Sequence, residues 1–329
     1  MSVTISTPSR LHFGLLRFEQ TTGPSFGGLG MMIAEPRTIV RLAPSAEWQA
    51  SGPDAQRAIA HARQALAHIE VASLQRPAGA PRDFPQAFRI EVQESIPPHL
   101  GLGSGTQLAL AVAAGVSILY DLPPAAAAEL AAMVGRGRRS AIGCHGFLSG
   151  GLLYELGSYP DEPLGRLAKR VEVPGPWRVV LITASSTAGL SGEHELGAFS
   201  RLPPVPAATT QRLEQLAEAA ILPAAEQGDA EAFGDSLFEY GQLAGECFAS
   251  VQGGPYASAE IAACVGTLRE LGVRGVGQSS WGPTVFAIAA NQAHAEEIVA
   301  RMRAPSAWRT HSMRITQPDN HGAKTVTTT

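Results

Sequence analysis

The chain has 329 residues, 45% hydrophobic and 16% charged, with a formal net charge of −4. That length suits one large domain or two ordinary ones with a sizeable core. The charge excludes a whole-chain basic field, which counts against nucleic acid as a main partner. Three scattered cysteines, Cys144, Cys247 and Cys264, have neither metal-ligand nor redox spacing and, being odd in number, make no disulfide framework. A reducing, cytoplasmic setting is expected. The first residues show no positive region ahead of a long apolar one, so no secretory leader is expected. The longest apolar run, 108–119, is too short for a membrane span.

In chain order, residues 3–6 alternate like a strand that stops at Pro8. Further strands are expected at Ile33 and over 39–42, around a glycine-rich loop at 23–30. Residues 54–69 have helical spacing, and 88–92 alternate as a half-buried strand. That strand feeds a turn at 96–106 with glycines at 101, 103 and 105, then an apolar helix over 107–119. Pro123-Pro124 separates it from a second helix at 125–134, and 150–155 reads as a strand. A Pro- and Gly-rich stretch at 159–176 marks the boundary between a first domain, 1–170, and a second, 171–329. In the second domain, strand 177–182 and a proline-rich connector at 202–207 precede helices over about 211–250. Then come helix 258–271, glycine loop 275–282, strand 284–289, helix 293–303 and strand 309–315, a βαβ-like α+β unit. Residues 325–329 read as a loose tail.

Five stretches carry candidate chemistry. A glycine turn entering a helix leaves backbone N–H groups unpaired and open to close approach, as an anion site requires. Gly101, Gly103, Ser104, Gly105 and Thr106 are its ligand candidates, against the plainer reading of a tight strand-to-helix turn. It is neither a Walker A loop, since no lysine follows Gly105, nor the dinucleotide fingerprint. The loop with Gln278, Ser279 and Ser280 faces the same diphosphate or is a turn with Trp281 as core. Arg10 and His12 share one side of an extended stretch, where Arg10 is a bidentate anion contact or a solvated residue. Arg136, Arg138, Arg139 and Ser140 are a solvated helix end or a second anion contact. Glu193 and Glu195 flank His194 and either hold Mg²⁺ or move protons, or sit favourably in the first turn of a helix capped by Ser191. No zinc set or Ser/His/Asp triad is visible.

Pro97 and Gly101-Leu102-Gly103-Ser104-Gly105 match motif two of the GHMP kinase superfamily (Pro-x-x-x-Gly-Leu-Gly-Ser-Ser/Gly) in order and spacing. Residues 8–15 look like motif one and 275–282 like motif three, so the chain resembles that superfamily over nearly its whole length. The resemblance implies an α+β GHMP kinase-like fold: an N-terminal domain like ribosomal protein S5 domain 2 and a C-terminal ferredoxin-like domain. One position departs. GHMP kinases commonly carry a catalytic Asp seven residues before a Gly-Gly pair, and counting back from Gly150-Gly151 gives Gly143.

Within the superfamily the chain resembles a non-kinase branch, the β-ribofuranosylaminobenzene 5′-phosphate synthases. The likeness lies in Ser9 to Gly14, Phe26 to Gly30, Pro97 to Gln107, Arg139 to Gly143 and Gly189 to Glu193. It implies a homodimer that condenses 5-phosphoribosyl 1-diphosphate with 4-aminobenzoate or 4-hydroxybenzoate, releases CO₂ and diphosphate, and opens the route to tetrahydromethanopterin. Mg²⁺ is implied, and no ATP is expected; an ATP-dependent small-molecule kinase is the alternative. On this reading the glycine loop from Pro97 to Gln107 holds phosphates, with Arg10, Arg136, Arg139 and Ser140. Glu193 or Glu195 faces the ribose cation, and His12 and Trp281 touch the aromatic ring.

Overall fold

The computed structural model describes residues 1–18, 20, 23–74, 85–183 and 202–329. Its first sheet is built on two long strands, β1 (Ser2–Leu15) and β2 (Gly28–Ser45), paired antiparallel from Val3↔Leu42 to Leu15↔Gly28. Pro8 does not end β1 as expected. The register shifts between Thr7 and Ser9 instead, and a bulge of this kind accommodates a residue with no N–H to give. What reads as separate strands at Ile33 and 39–42 is the single strand β2. A second shift lies between His12 and Gly14. Gly14 has φ +153, and a Cβ there would overlap Ala244, so the bulge lets a helix of the second domain lie directly on β1.

Beside β2 lies β4 (Ala87–Glu94), flanked in parallel by the short β3 (Gln49–Ser51). The other end of β2 pairs with β5 (Leu152–Glu155), which carries β6 (Leu167–Val171). One face of the sheet is covered by α1 (Ala55–Leu74), α2 (Ser104–Leu119), α3 (Ala127–Met133) and α4 (Ile142–Ser149). Ile5, Val40, Leu42, Phe88 and Ile90 pack there against Ala58, Ala62, Leu108 and Val112. Small residues let α2 sink into the sheet: a Cβ on Gly115 would lie 2.6 Å from Leu42 Cδ1.

The second sheet has the order β10 (Ser312–Thr316), β7 (Arg178–Thr183), β9 (Thr284–Ala289), β8 (Val276–Gln278), all antiparallel neighbours. Its strands therefore run 4-1-3-2, the ferredoxin-like order, with β9 and β10 parallel across β7 and joined by α10 (Gln292–Arg303). α9 (Ala259–Glu270) and α10 cover one face through Ile261, Leu268, Ile298 and Met302. The other face, with Phe286 and Ile288, shares a core with the back of the first sheet and with the helices between β7 and α9. Those are α5 (Ala207–Leu216), a π turn at Ala217–Ile221, α6 (Leu222–Gln227), α7 (Ala230–Glu246) and the short α8 (Ala249–Gln252). The two domains are thus joined by one apolar core.

Two expectations are corrected. The tail is β11 (Lys324–Thr328), paired antiparallel with β1 from Ser2↔Thr328 to Ser6↔Lys324, so the first sheet takes its last strand from the far end of the chain. A cut at 170/171 also falls inside β6; the chain passes from one sheet to the other between Val171 and Arg178. No helix among the described residues is long and apolar enough to cross a membrane.

Candidate active site

The site is built where β1 runs between the two glycine loops. Arg10 N–H donates to Leu102 O (3.0 Å) in the first loop, and Ser280 N–H donates to His12 O (2.9 Å) from the second. Ser279 bolts the loops together: its hydroxyl donates to Gly101 O (2.8 Å) and accepts from His12 N–H (3.1 Å). Above this junction opens a cleft of about 1110 Å³ between the domains.

One end of the cleft is cationic. Helix α2 starts at Ser104, three residues earlier than its apolar run suggests, because Gly103 takes φ +79 at the cap position. No side chain caps the helix, so its first N–H groups and positive dipole end face the cleft. Arg10, Arg57, Arg136, Arg138 and Arg139 line this end with a single carboxylate, Asp54. Asp54 is committed, accepting from Arg57 Nη1 and Ser95 Oγ, each at 2.9 Å. A Cβ on Gly105 would meet Arg57 Nη2 at 2.9 Å and Arg136 Nη2 at 3.7 Å, so both guanidiniums close over that glycine. Burial, then the neighbouring Arg57 and Arg139, lower the pKa of Arg136, whose buried Nε makes no hydrogen bond. Burial and the same crowding by Arg136 and Arg57 push His61 down to about 4. Like charges held this close repel one another, and an anion among them would relieve that repulsion. Arg136→Met should therefore raise the stability of the unliganded protein by about 1 kcal/mol and weaken binding of inorganic diphosphate by about tenfold. Urea midpoints and titration calorimetry read the two effects; a less stable variant would make Arg136 a structural tie instead.

The other end is aromatic. Phe248 lies edge-on to both Phe18 (centroids 4.9 Å apart) and Trp281 (4.8 Å), and Phe13 meets Phe286 at 5.0 Å. All five line the cleft. Between the ends stands His12. Burial and the nearby Arg10 hold its pKa well below 6.5, so the imidazole is neutral. Its Nε2 lies 3.0 Å from Ser140 Oγ.

Of the candidates from the sequence, Arg10, His12, Gly101, Gly103, Ser104, Gly105, Thr106, Arg136, Arg139, Ser140, Gln278 and Ser280 line the cleft. Three do not. Pro97 is exposed, and its neighbour Pro98 lines the wall instead. Ser279 is fully buried as the bolt described above. Gln107 is fully buried under α2, accepting from the Thr7 hydroxyl and donating to Gly143 O at 2.9 Å, so it ties α4 to β1 rather than holding phosphate. Gln278 lines the cleft with its amide committed to the loop, accepting from Ala257 N–H and donating to Ser280 O. Glu193 and Glu195 lie outside the described residues. Sequence reasoning missed Asp54, Arg57 and His61, which follow no motif, and the aromatic wall apart from Trp281. A Cβ on Gly143 would lie 3.3 Å from Thr106 Cγ2 and 3.5 Å from Gln107 Nε2, so a carboxylate at this position would crowd the start of α2. Among the described residues no three His, Cys, Asp or Glu side chains come together to hold a metal ion.

An S5-like sheet joined to a ferredoxin-like one, with a glycine loop entering a helix at their seam, defines a GHMP-type protein. The model of the GHMP kinases N-terminal domain matches residues 57–151 and that of the GHMP kinases C-terminal domain matches 221–307. The chain belongs to the GHMP kinase superfamily. It is 29% identical over 310 residues to the beta-ribofuranosylphenol 5′-phosphate synthase of Methanothermobacter thermautotrophicus, covering 88% of this chain and 89% of that protein. It is also 29% identical over 309 residues to the Archaeoglobus fulgidus protein of the same name, covering 86% and 87%. The fold matches homoserine kinase from Cytophaga hutchinsonii (TM-score 0.68, 15% identity, 99% and 97% covered). It also matches mevalonate pyrophosphate decarboxylase from Streptococcus pyogenes (0.68, 11%, 97% of each chain).

Proposed function

We propose that the cleft joins the anomeric carbon of 5-phosphoribosyl 1-diphosphate to the ring of 4-hydroxybenzoate or 4-aminobenzoate. The enzyme is a decarboxylating pentosyltransferase of the β-ribofuranosylaminobenzene 5′-phosphate synthase type, as its likeness to the named synthases supports. The observation that carries the reading is the division of one cleft into a cationic end and an aromatic end.

The bond from the anomeric carbon to the diphosphate breaks with both electrons leaving on oxygen. Backbone N–H groups at the start of α2 and the guanidiniums of Arg10, Arg136 and Arg139 are placed to stabilise that developing charge, fixed in position before it forms. The ring carbon bearing the carboxylate, para to the hydroxyl or amine, attacks the ribose cation. The carbon–carboxylate bond then breaks, its electron pair restores aromaticity, and CO₂ departs. Phe18, Phe248 and Trp281 provide a wall against which a flat ring stacks. Glu193 and Glu195 remain the proposed neighbours of the ribose cation. Mg²⁺ belongs to the proposal only as the ion that the diphosphate substrate brings, and no step is routed through it. A cytoplasmic homodimer acting in tetrahydromethanopterin synthesis completes the reading.

The test omits ATP. With phosphoribosyl diphosphate, Mg²⁺ and carboxyl-labelled 4-hydroxybenzoate or 4-aminobenzoate, labelled CO₂ and diphosphate should appear in equal amounts. No CO₂, together with ATP-dependent phosphorylation of a small alcohol, would overturn the reading in favour of a kinase.

A further inference from the structure

Beneath the floor of the cleft lies a carboxylate that none of the roles above uses. Glu155 ends β5, opposite Gly28 of β2, and is 1% exposed. Its Oε2 accepts from Ala141 N–H at 2.6 Å, at the start of α4, while its Oε1 is buried without a hydrogen bond. A half-satisfied buried carboxylate costs stability, and apolar packing would be the cheaper way to fill the space. The residue preceding Ala141 is Ser140, whose hydroxyl also favours the charged form of Glu155 and whose Oγ lies 3.0 Å from His12 Nε2. On the other side of the imidazole, Nδ1 makes no hydrogen bond with any described residue, and the ring lines the cleft. Ser140 thus stands between His12 and Glu155: its Oγ meets His12 Nε2 and accepts from Ile142 N–H at 3.3 Å, and it directly precedes Ala141, whose N–H holds the Glu155 carboxylate.

We propose that Glu155 is the proton store of this site, reached from the cleft through His12 and Ser140. The idea rests on the proposed reaction for its substrate. Attack by the ring carbon is driven by electrons from the para hydroxyl or amine, and that group must shed a proton as they move. His12 Nδ1 takes the proton, His12 Nε2–H passes its own to Ser140 Oγ, and the Ser140 hydroxyl proton goes to Glu155. After CO₂ leaves, the same steps in reverse return the proton, so the cycle is balanced without a further acid or base.

The electrostatics divide the labour in the same way. His12, desolvated and beside Arg10, is a poor place to keep a proton. Burial raises Glu155 to about 7, although Ser140, Ala141 N–H and Arg10 pull the other way. The other ionisable groups facing Glu155 are Cys144 of α4, pushed up to about 12 by burial, and Tyr240 of α7, also raised by burial. Both stay neutral near pH 7, where Glu155 changes charge. Its titration must also reverse the hydrogen bonds along this route. With Glu155 ionised, Ser140 donates inward and His12 carries its proton on Nε2. With Glu155 protonated, Ser140 donates outward and His12 carries it on Nδ1, so that a hydrogen-bond acceptor toward the cleft becomes a donor.

Glu155 acts through other residues, so it is a positioning residue and its test needs a readout that helix capping alone would not move. In ¹⁵N-histidine-labelled enzyme without substrate, the His12 tautomer should change between pH 6 and pH 8. In Glu155→Gln it should stay fixed, because an amide oxygen still accepts from Ala141 N–H but takes up no proton. The variant's kcat should fall about 100-fold, lose its limb near pH 7 and keep KM for phosphoribosyl diphosphate within about twofold, with Glu155→Asp recovering part of the rate. A wild-type His12 with one tautomer across this range would overturn the proposal, as would a Glu155→Gln enzyme that keeps the wild-type pH limb. If Glu155→Gln does not fold, Ser140→Ala serves instead, since it cuts the route and leaves Glu155 in place. A tautomer change without CO₂ release retires the proposed reaction alone; CO₂ release without the change retires the relay alone.

Discussion

Gly101→Ala is expected to destabilise the protein by roughly 3 kcal/mol and to abolish diphosphate binding at micromolar concentrations. Gly101 has φ +74, and a Cβ there would overlap the carbonyl oxygen of Ser279 and lie 3.1 Å from that of Gly282. Neither obstacle is the movable end of a side chain. Left-handed strain for alanine costs about 1–2 kcal/mol, and forcing apart two packed backbones adds about 1–3 kcal/mol more. The loops separate at the point where Ser279 Oγ donates to Gly101 O, and the N–H groups of α2 lose their aim. Urea unfolding and titration with diphosphate measure both effects. Gly175→Ala is the control, because a Cβ there would meet nothing within 4 Å. Equal stability of the two variants would show that the loops are not locked as described.

The second large effect is a pH dependence of stability. Glu155 moves from an ordinary carboxyl value of 4.5 to about 7 on folding. Between those values the folded protein holds a proton that the unfolded chain releases, so stability falls as pH rises through the window. At 1.36 kcal/mol per pKa unit the full loss is on the order of 3 kcal/mol. Glu155→Gln lacks this loss, so from pH 5 to pH 8 the difference between variant and wild type should move by roughly 2–3 kcal/mol in the variant's favour. His12 and His61, both lowered on folding, have the opposite sign: their contribution is lost as pH falls below 6.5. They are present in both proteins and cancel in the comparison. A difference that does not change with pH would mean that Glu155 titrates normally.

The relation of these residues to the sequence is uneven for physical reasons. The glycine turn and α2 were legible because alternating glycines followed by an apolar run are local features, satisfied or broken within some twenty residues. The three motifs were legible as a set because each supplies one wall of the same junction. Gln107 misled because its place in the loop motif says nothing about which way its amide points, and it turns inward to Gly143 O. The strand at Lys324–Thr328 was misread because a short threonine-rich segment acquires strand structure only from its partner, β1.

By itself the sequence determined the superfamily fold, the glycine turn that opens α2 and the glycine at position 143, since these depend on residue types at fixed spacing along the chain. Only the tertiary structure decided that Arg57 joins Arg136 over Gly105, that Ser279 is a bolt rather than a ligand, and that Glu155 lies behind Ser140 and His12. Those relations are set by burial and distance between segments more than a hundred residues apart in several cases. A side chain's proton affinity depends on such surroundings, and neighbours along the chain do not report them.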